Sequence, residues 1–231
     1  MFEKFPWVGA SVFVAPHAEV VAAINPSWDL LAGFGPGAVF GYVLDGDNAT
    51  LRHRGRPHGM PAGSYFVINA GAGELTSPGG RVMLVHKPGS NFPFMVGGPI
   101  EATGRLRYIN GCSDSLIIPP WRRGEPCLNH LHIPEDIEQT MHTHPSDRIG
   151  VVVRGRGQCV TPDGTYDLLP GNLWRIPADS LHRFRTGAKS LDIVAWHPDS
   201  DFGPTDDDHP MLRKTFVDGV SATELDAIRT R

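Results

Sequence analysis

Two stretches about thirty residues apart decide how this chain is read: Met141-His142-Thr143-His144-Pro145-Ser146-Asp147-Arg148, continuing through Ile149-Gly150-Val151-Val152-Val153-Arg154-Gly155, and Gly171-Asn172-Leu173-Trp174-Arg175-Ile176-Pro177-Ala178-Asp179-Ser180-Leu181-His182. Along a strand, side chains alternate faces, so residues two apart lie roughly 6.6 Å from each other on one face. Two imidazoles at that spacing can both reach one cation at about 2.1 Å per nitrogen. A third histidine from a neighbouring strand would complete a facial set. The pattern predicts a metal pocket inside a small β-barrel, with His142, His144 and His182 as ligands.

Working outward, the 231 residues are enough for one large domain or two small ones. A formal charge of −4 offers no basic surface, so neither nucleic acid nor an anionic membrane is an expected partner. Gly and Pro reach 27 and 21 copies, a density of breakers that suits many short strands joined by turns. Met1 to Trp7 shows no basic stretch leading into an apolar core, so no signal peptide is expected, and no apolar run approaches a membrane span. Cys112, Cys127 and Cys159 cannot all pair and form no CxxC, which predicts buried thiols in a reducing, cytoplasmic setting.

The apolar runs are short. Ala38 to Leu44, Tyr65 to Ile68 and Arg81 to Val85 are each followed by Gly, Asp, Asn or Pro, and so are Leu116 to Ile118, Cys127 to Ile133, Ile149 to Val153, Leu173 to Ile176 and Leu191 to Trp196. This is a strand pattern. Only the tail differs: Ser221-Ala222-Thr223-Glu224 matches a capping box and predicts a short C-terminal helix through Leu225 and Ile228. The chain also aligns on itself. Gly41 to Gly46 mirrors Gly150 to Gly155, and Pro61 to Ile68 mirrors Leu169 to Ile176. On this alignment Gly33, Gly35 and Glu74 stand where His142, His144 and His182 stand. The expectation is a duplicated β domain, residues 1–100 without metal ligands and residues 101–231 with them.

At these residues the chain resembles the cupin superfamily. That family's second motif is Gly, five residues, Pro-x-Gly, two residues, His, three residues, Asn; Gly171, Pro177, Asp179, His182 and Thr186 occupy its positions. Its first motif is met by His142, His144 and Gly155, with Asp136 at the leading Gly. The resemblance implies an all-β fold, a jelly-roll double-stranded β-helix present twice as a bicupin. It also implies a divalent metal held by the histidines and a homodimer.

The chain departs from the family at the fourth ligand, where Arg148 replaces a carboxylate and Asp147 lies one residue early. In a regular strand Arg148 faces the pocket and three neutral imidazoles hold the ion. With a bulge, Asp147 turns inward as an anionic ligand. An inward Arg148 would bind a substrate carboxylate in bidentate fashion, or pair with Asp147, Asp179 or Glu125. His130 and His132 share one strand face and are candidate wall residues of the same barrel. His197 is expected at the surface, Phe184 beside His182 in the pocket, Glu74 as a paired structural acid, and Asp206 to Asp208 as a solvated loop. Tyr108, Trp121, Trp174 and Trp196 are candidates for core or pocket wall.

Imidazole ligands suit Fe, Zn, Cu, Ni and Mn alike. Three functions stay open. The first is an iron(II) dioxygenase acting on a small anionic substrate, as in cupins that resemble thiol or diketone dioxygenases, with Arg148 fixing the anion. The second is an isomerase, lyase or hydrolase using the ion as a Lewis acid, with Asp147, His130 or His132 as proton acceptor. The third is a non-catalytic binder of small metabolites.

Overall fold

The computed structural model describes residues 1–27, 29–200 and 211–228. Asp206, Asp207 and Asp208 lie outside the described residues. Two large antiparallel sheets dominate. In spatial order, one runs Glu3–Phe5, Leu173–Ile176, Arg148–Gly155, Leu191–His197, Cys127–Ile133, Ser113–Ile118 and Leu106–Arg107. The other runs Met95–Gly97, Tyr65–Asn69, Gly37–Asp45, Arg81–Pro88, Ala18–Ile24 and Ser11–Ala15. Strand for strand, the central order is the same. Each half adds a three-stranded sheet: Gly164–Leu168, Gly157–Thr161 and Arg183–Arg185 in one, Arg56–Met60, Ala49–His53 and Gly73–Thr76 in the other.

The duplication extends to local detail. Gly41 lies opposite Phe66, and Gly150 lies opposite Trp174. A Cβ at either glycine would come within 2.1 Å and 2.6 Å of the facing ring, so both positions need glycine to let an aromatic lie flat on the strand. Both halves also shift register at the same place, between Val43 and Asp45 and between Val152 and Arg154. One feature breaks the symmetry. The strand beside Leu173–Ile176 is Glu3–Phe5, from the opposite end of the chain, and Phe2 is buried in the C-terminal barrel against Tyr166 and Trp174.

Three apolar cores arise from strand alternation. Even-numbered residues of Cys127–Ile133 and Leu191–His197 face the other large sheet, where Leu128, Val194 and Trp196 pack with Phe40, Tyr42, Met83 and Val85. Odd-numbered residues Leu131, Ile133, Leu191 and Ile193 face into the C-terminal barrel with Trp174 and Phe184. Leu31, Val39, Leu51, Phe66 and Leu84 fill the N-terminal barrel. Trp196 has no exposed surface, and truncating it to Ala would cost about 3–5 kcal/mol. All three cysteines are free and buried.

The tail corrects one expectation. Ser221 does cap, its Oγ accepting from the Thr223 N–H, but the chain beyond it forms two 3-10 turns, Ala222–Glu224 and Asp226–Ile228. Leu225, at φ −114° and ψ 79°, interrupts them, and Ile228 is exposed, so no packed apolar face offsets the cost of nucleating an α-helix. No helix among the described residues is long and apolar enough to cross a membrane.

Candidate metal centre

Two loops at one end of the C-terminal barrel carry the histidines. His142 and His182 form an isolated antiparallel bridge, each backbone N–H bonding the other's carbonyl at 2.9 and 3.0 Å. The Asp179 N–H closes the pair onto the His144 carbonyl at 2.7 Å. His142 and His144 therefore lie in the segment that precedes the strand Arg148–Gly155 rather than within it. The two aspartates standing at family glycine positions keep glycine-like backbones, Asp136 at φ 55° and Asp179 at φ 57°. Aspartate is among the few side chains that tolerate this region. Thr186, at the family's Asn position, bonds Pro134 and Ile137 and so ties the end of the strand Arg183–Arg185 to the segment that leads to His142.

The ligand-capable atoms of His142, His144 and His182 lie within 4.8 Å of one another. His142 Nδ1 is 2.7 Å from the Thr140 carbonyl and His182 Nδ1 is 2.8 Å from the Ser180 carbonyl. A carbonyl only accepts, so each Nδ1 carries the proton and each Nε2 keeps its lone pair for a ligand. Burial, the Arg148 charge and the neighbouring imidazoles push His144 down to about 3. Burial likewise brings His182 down to about 4, against the Ser180 carbonyl, with His142 and Arg148 adding to it. Both rings are neutral at pH 7. Around an octahedral ion, cis nitrogens stand about 3 Å apart, so small ring rotations bring this set onto one cation. The residues fit a divalent metal, which would supply Lewis acidity and, for a redox-active ion, electrons.

Arg148 and Asp147 point to different places. Arg148 lines the pocket with His144 and His182. Its Nη1 donates to the Ser146 carbonyl and hydroxyl and to the Asp147 carbonyl, and its Nε is buried without a partner. Among the described residues no carboxylate lies within ion-pair distance of it. Asp147 does not line the pocket. Its Oδ2 accepts from Arg175 Nε at 2.9 Å and contacts His17 Nε2 at 2.9 Å, and its Oδ1 accepts from the Ala178 N–H at 2.9 Å. The reading of Asp147 as an inward ligand or proton acceptor is therefore corrected: the strand is regular here, and the carboxylate is fully engaged on its other side. Glu125 is bonded by Ser90, and Asp179 forms no ion pair among the described residues, so neither partners Arg148.

Three further expectations change. His130 and His132 do share a face, but it is the one turned away from the barrel; both bond Asp192 Oδ1, at 2.8 and 2.9 Å, and Arg154 holds Oδ2 at 2.8 Å. His197 is half-buried and lines the pocket, because odd-numbered residues of its strand face inward. Burial, together with Arg148 and His144, holds its imidazole well below the ordinary histidine value. Trp121 is 42% exposed at the surface, whereas Trp174 and Tyr108 line the pocket and Trp196 is core. Phe184 stands beside His182, ring centroids 5.8 Å apart, and Glu74 pairs with Arg52 at 3.2 Å. Sequence reasoning missed Asp114 and Asn129, which also line the cavity.

Known proteins share both the histidine-bearing segment and the doubled barrel. The family model of the AraC-like ligand binding domain matches residues 133–196, a span that holds all three histidines. Solved structures match across both halves. A cupin 2 conserved barrel domain protein from Leptotrichia buccalis is 10% identical with a TM-score of 0.57, over 85% of this chain and 88% of that one. A protein described as glyoxylate-induced from Pseudomonas aeruginosa is 14% identical with a TM-score of 0.64, over 81% and 76%. The chain has the cupin barrel fold. A salicylate 1,2-dioxygenase from Pseudaminobacter salicylatoxidans is also similar to this chain, 9% identical with a TM-score of 0.60 over 84% and 74%; a variant of that enzyme was solved with gentisate. No curated protein matches the chain. At these identities the likeness concerns the fold.

Proposed function

We propose that this cupin is a metal-dependent enzyme, a non-heme iron(II) dioxygenase for a small anionic substrate. The observation that carries the reading is that His144, His182 and an Arg148 guanidinium with no carboxylate partner among the described residues line one cavity, with the His142 imidazole close enough to join the other two on one ion. A half-buried cation with no counter-charge is destabilising unless a ligand neutralises it. His142, His144 and His182 would hold the ion, leaving positions open on the side of the cavity. Arg148 would take the substrate's anionic group. Trp174 and Phe184 wall off water. The likeness to a salicylate dioxygenase supports oxygen chemistry on a carboxylate.

Cavity size narrows the substrate. The space is about 50 Å³, against the roughly 150 Å³ of an apolar cavity that accepts benzene. That favours a ligand of a few heavy atoms over an aromatic acid. The deciding experiment is anaerobic loading of the purified protein with iron(II), followed by oxygen-electrode measurements with two- and three-carbon carboxylates. Uptake that requires both iron and carboxylate is expected. Failure to bind iron, or turnover that proceeds equally with zinc and without oxygen, would refute the oxidative reading.

A second reading is favoured by the family match, whose description is of ligand binding. Here the barrel binds a small metabolite without converting it, and stoichiometric binding with no product would be found. In either reading, Ser11–Ala15 ends its sheet with one side unpaired, a strand edge through which two copies can form the homodimer the family resemblance implies.

A further inference from the structure

The barrel pocket contains a second unpaired charge of the opposite sign. Asp114, on the strand Ser113–Ile118, is the carboxylate that lines the cavity with Arg148, His144 and His182 among the described residues. Its Oδ1 accepts from Asn129 Nδ2 at 2.9 Å, and the Asn129 amide is itself oriented by the Cys127 thiol, which donates to Asn129 Oδ1 at 3.2 Å. Asp114 Oδ2 has no hydrogen bond among the described residues, and no Arg, Lys or His lies within ion-pair distance of the carboxylate. Asp114 is half-buried, and the contrast with the chain's buried aspartates is sharp. Asp147 and Asp192 each receive at least one guanidinium. An acid whose role is structural is normally paired in this way, because burying an uncompensated carboxylate is costly.

Asp114 and Arg148 thus face one cavity of about 50 Å³ without pairing with each other. A protein that wanted both charges only for stability would let them meet. Holding them apart leaves a place between two opposite charges and beside three imidazoles. The complementary ligand is small and carries a carboxylate for Arg148 and a hydrogen-bond donor for Asp114. A hydroxyl satisfies this and still offers its oxygen to a metal, whereas an ammonium has no lone pair to offer. Burial, working against the Asn129 hydrogen bond and the nearby His130, pushes the Asp114 carboxyl up to about 6. That is the range expected of an acid–base group.

We infer that the pocket takes a small α-hydroxy acid, with Asp114 as the residue that accepts the hydroxyl hydrogen bond and, in reaction, its proton. In that step the ligand O–H bond breaks, the proton passes to Asp114 Oδ2, and the electron pair stays on the ligand oxygen. The inference rests on the reading of this pocket as a metal and anion site.

The test uses the full chain loaded with redox-inert zinc and titrated calorimetrically with glycolate and with acetate, which differ by the one hydroxyl. Glycolate is expected to bind at least about tenfold more tightly. Asp114→Asn should bring glycolate to within about threefold of acetate, leaving zinc stoichiometry unchanged and acetate bound no more weakly than by the wild type. Should that variant fail to fold, Asp114→Ser must show the same selective loss. Equal binding of the two acids by the wild type, or a glycolate preference that survives in Asp114→Asn, overturns the assignment while leaving the metal site standing. Absence of zinc binding overturns the metal reading and this inference together.

Discussion

Asp147 and Arg175 share a 2.9 Å ion pair that stands back to back with the histidine cluster, Asp147 lying between His144 and Arg148 in the chain. The same carboxylate bonds the Ala178 N–H, on the loop that leads to His182, and His17 from the other half of the molecule. Arg175 in turn reaches Glu3 on the N-terminal strand at 3.0 Å. One buried acid therefore joins both histidine loops to the strand that crosses between halves. Burial alone would raise its pKa, but the bonds from Arg175, Ala178 and His17 together hold it below the ordinary aspartate value.

Removing that acid should loosen the site without touching a proposed ligand. Asp147→Ala leaves Arg175 half-paired and the Ala178 N–H unsatisfied, and should cost about 3 kcal/mol of stability. Zinc affinity should fall about 10- to 100-fold, the usual effect of losing a group that orients a ligand shell. Thermal melts and competitive zinc titration measure both. An unchanged zinc affinity would show that the loops hold their places without it.

His182→Ala should abolish stoichiometric metal binding and leave a folded barrel. The bridge to His142 uses backbone atoms only and survives the substitution. A melting change of a few degrees, corresponding to about 1–2 kcal/mol in a chain of this size, is expected. Elemental analysis of the variant showing one ion per chain would remove His182 from the ligand set.

Arg148→Met separates clamp from scaffold. The guanidinium is half-buried, with its Nε shut from solvent and no carboxylate within ion-pair distance among the described residues, and burial lowers its pKa. Its replacement by a neutral chain of similar length should leave stability unchanged or raise it by about 1 kcal/mol. Acetate binding to the zinc-loaded protein should drop at least about tenfold. Loss of stability with anion affinity intact would make Arg148 a structural residue.

Asp192 predicts an acid limb in stability. Burial raises its pKa, but bonds from His130, Arg154 and His132 together overcome this and set the carboxyl at about 2. The unfolded value is about 4. The stabilisation is thus fully present above pH about 4 and is lost as the pH falls towards 2, amounting to about 2–3 kcal/mol. Urea unfolding between pH 5 and 2.5 should show this slope, and Asp192→Asn should flatten it. An identical slope in the variant would assign the acid limb to other carboxylates.

Much of the architecture is legible in the order of residues. Short apolar runs cut by Gly and Pro mark the strands, and the internal match of Gly41 with Gly150 and of Phe66 with Trp174 marks the duplication; both pairs meet as facing partners. Asp136 and Asp179 are recognisable at glycine positions because aspartate tolerates positive φ. The histidines are readable because each of the two motifs that hold them, around His142 and His144 and around His182, has local spacing. Less legible is the side on which a strand residue falls. Cys127–Ile133 and Leu191–His197 are buried on both faces, one towards the barrel and one towards the other large sheet. Such strands carry apolar residues on both faces, so no clean alternation labels which face is which. For that reason pattern alone allows His130 or His132 to line the barrel and puts His197 at the surface, whereas the first two face away from the barrel and His197 lines its pocket.

Sequence by itself determined the strand inventory, the doubled barrel and the three histidines, since each is written in short local motifs, once or in two matching copies, that backbone geometry converts directly into shape. Tertiary structure alone decided that Asp147 turns away to Arg175, that Asp114 and Arg148 share a cavity, and that Glu3–Phe5 completes the far sheet. Those relations join residues 28 to more than 160 positions apart. They are set by how two-faced sheets pack, and a one-residue change of face reverses them without altering local propensity.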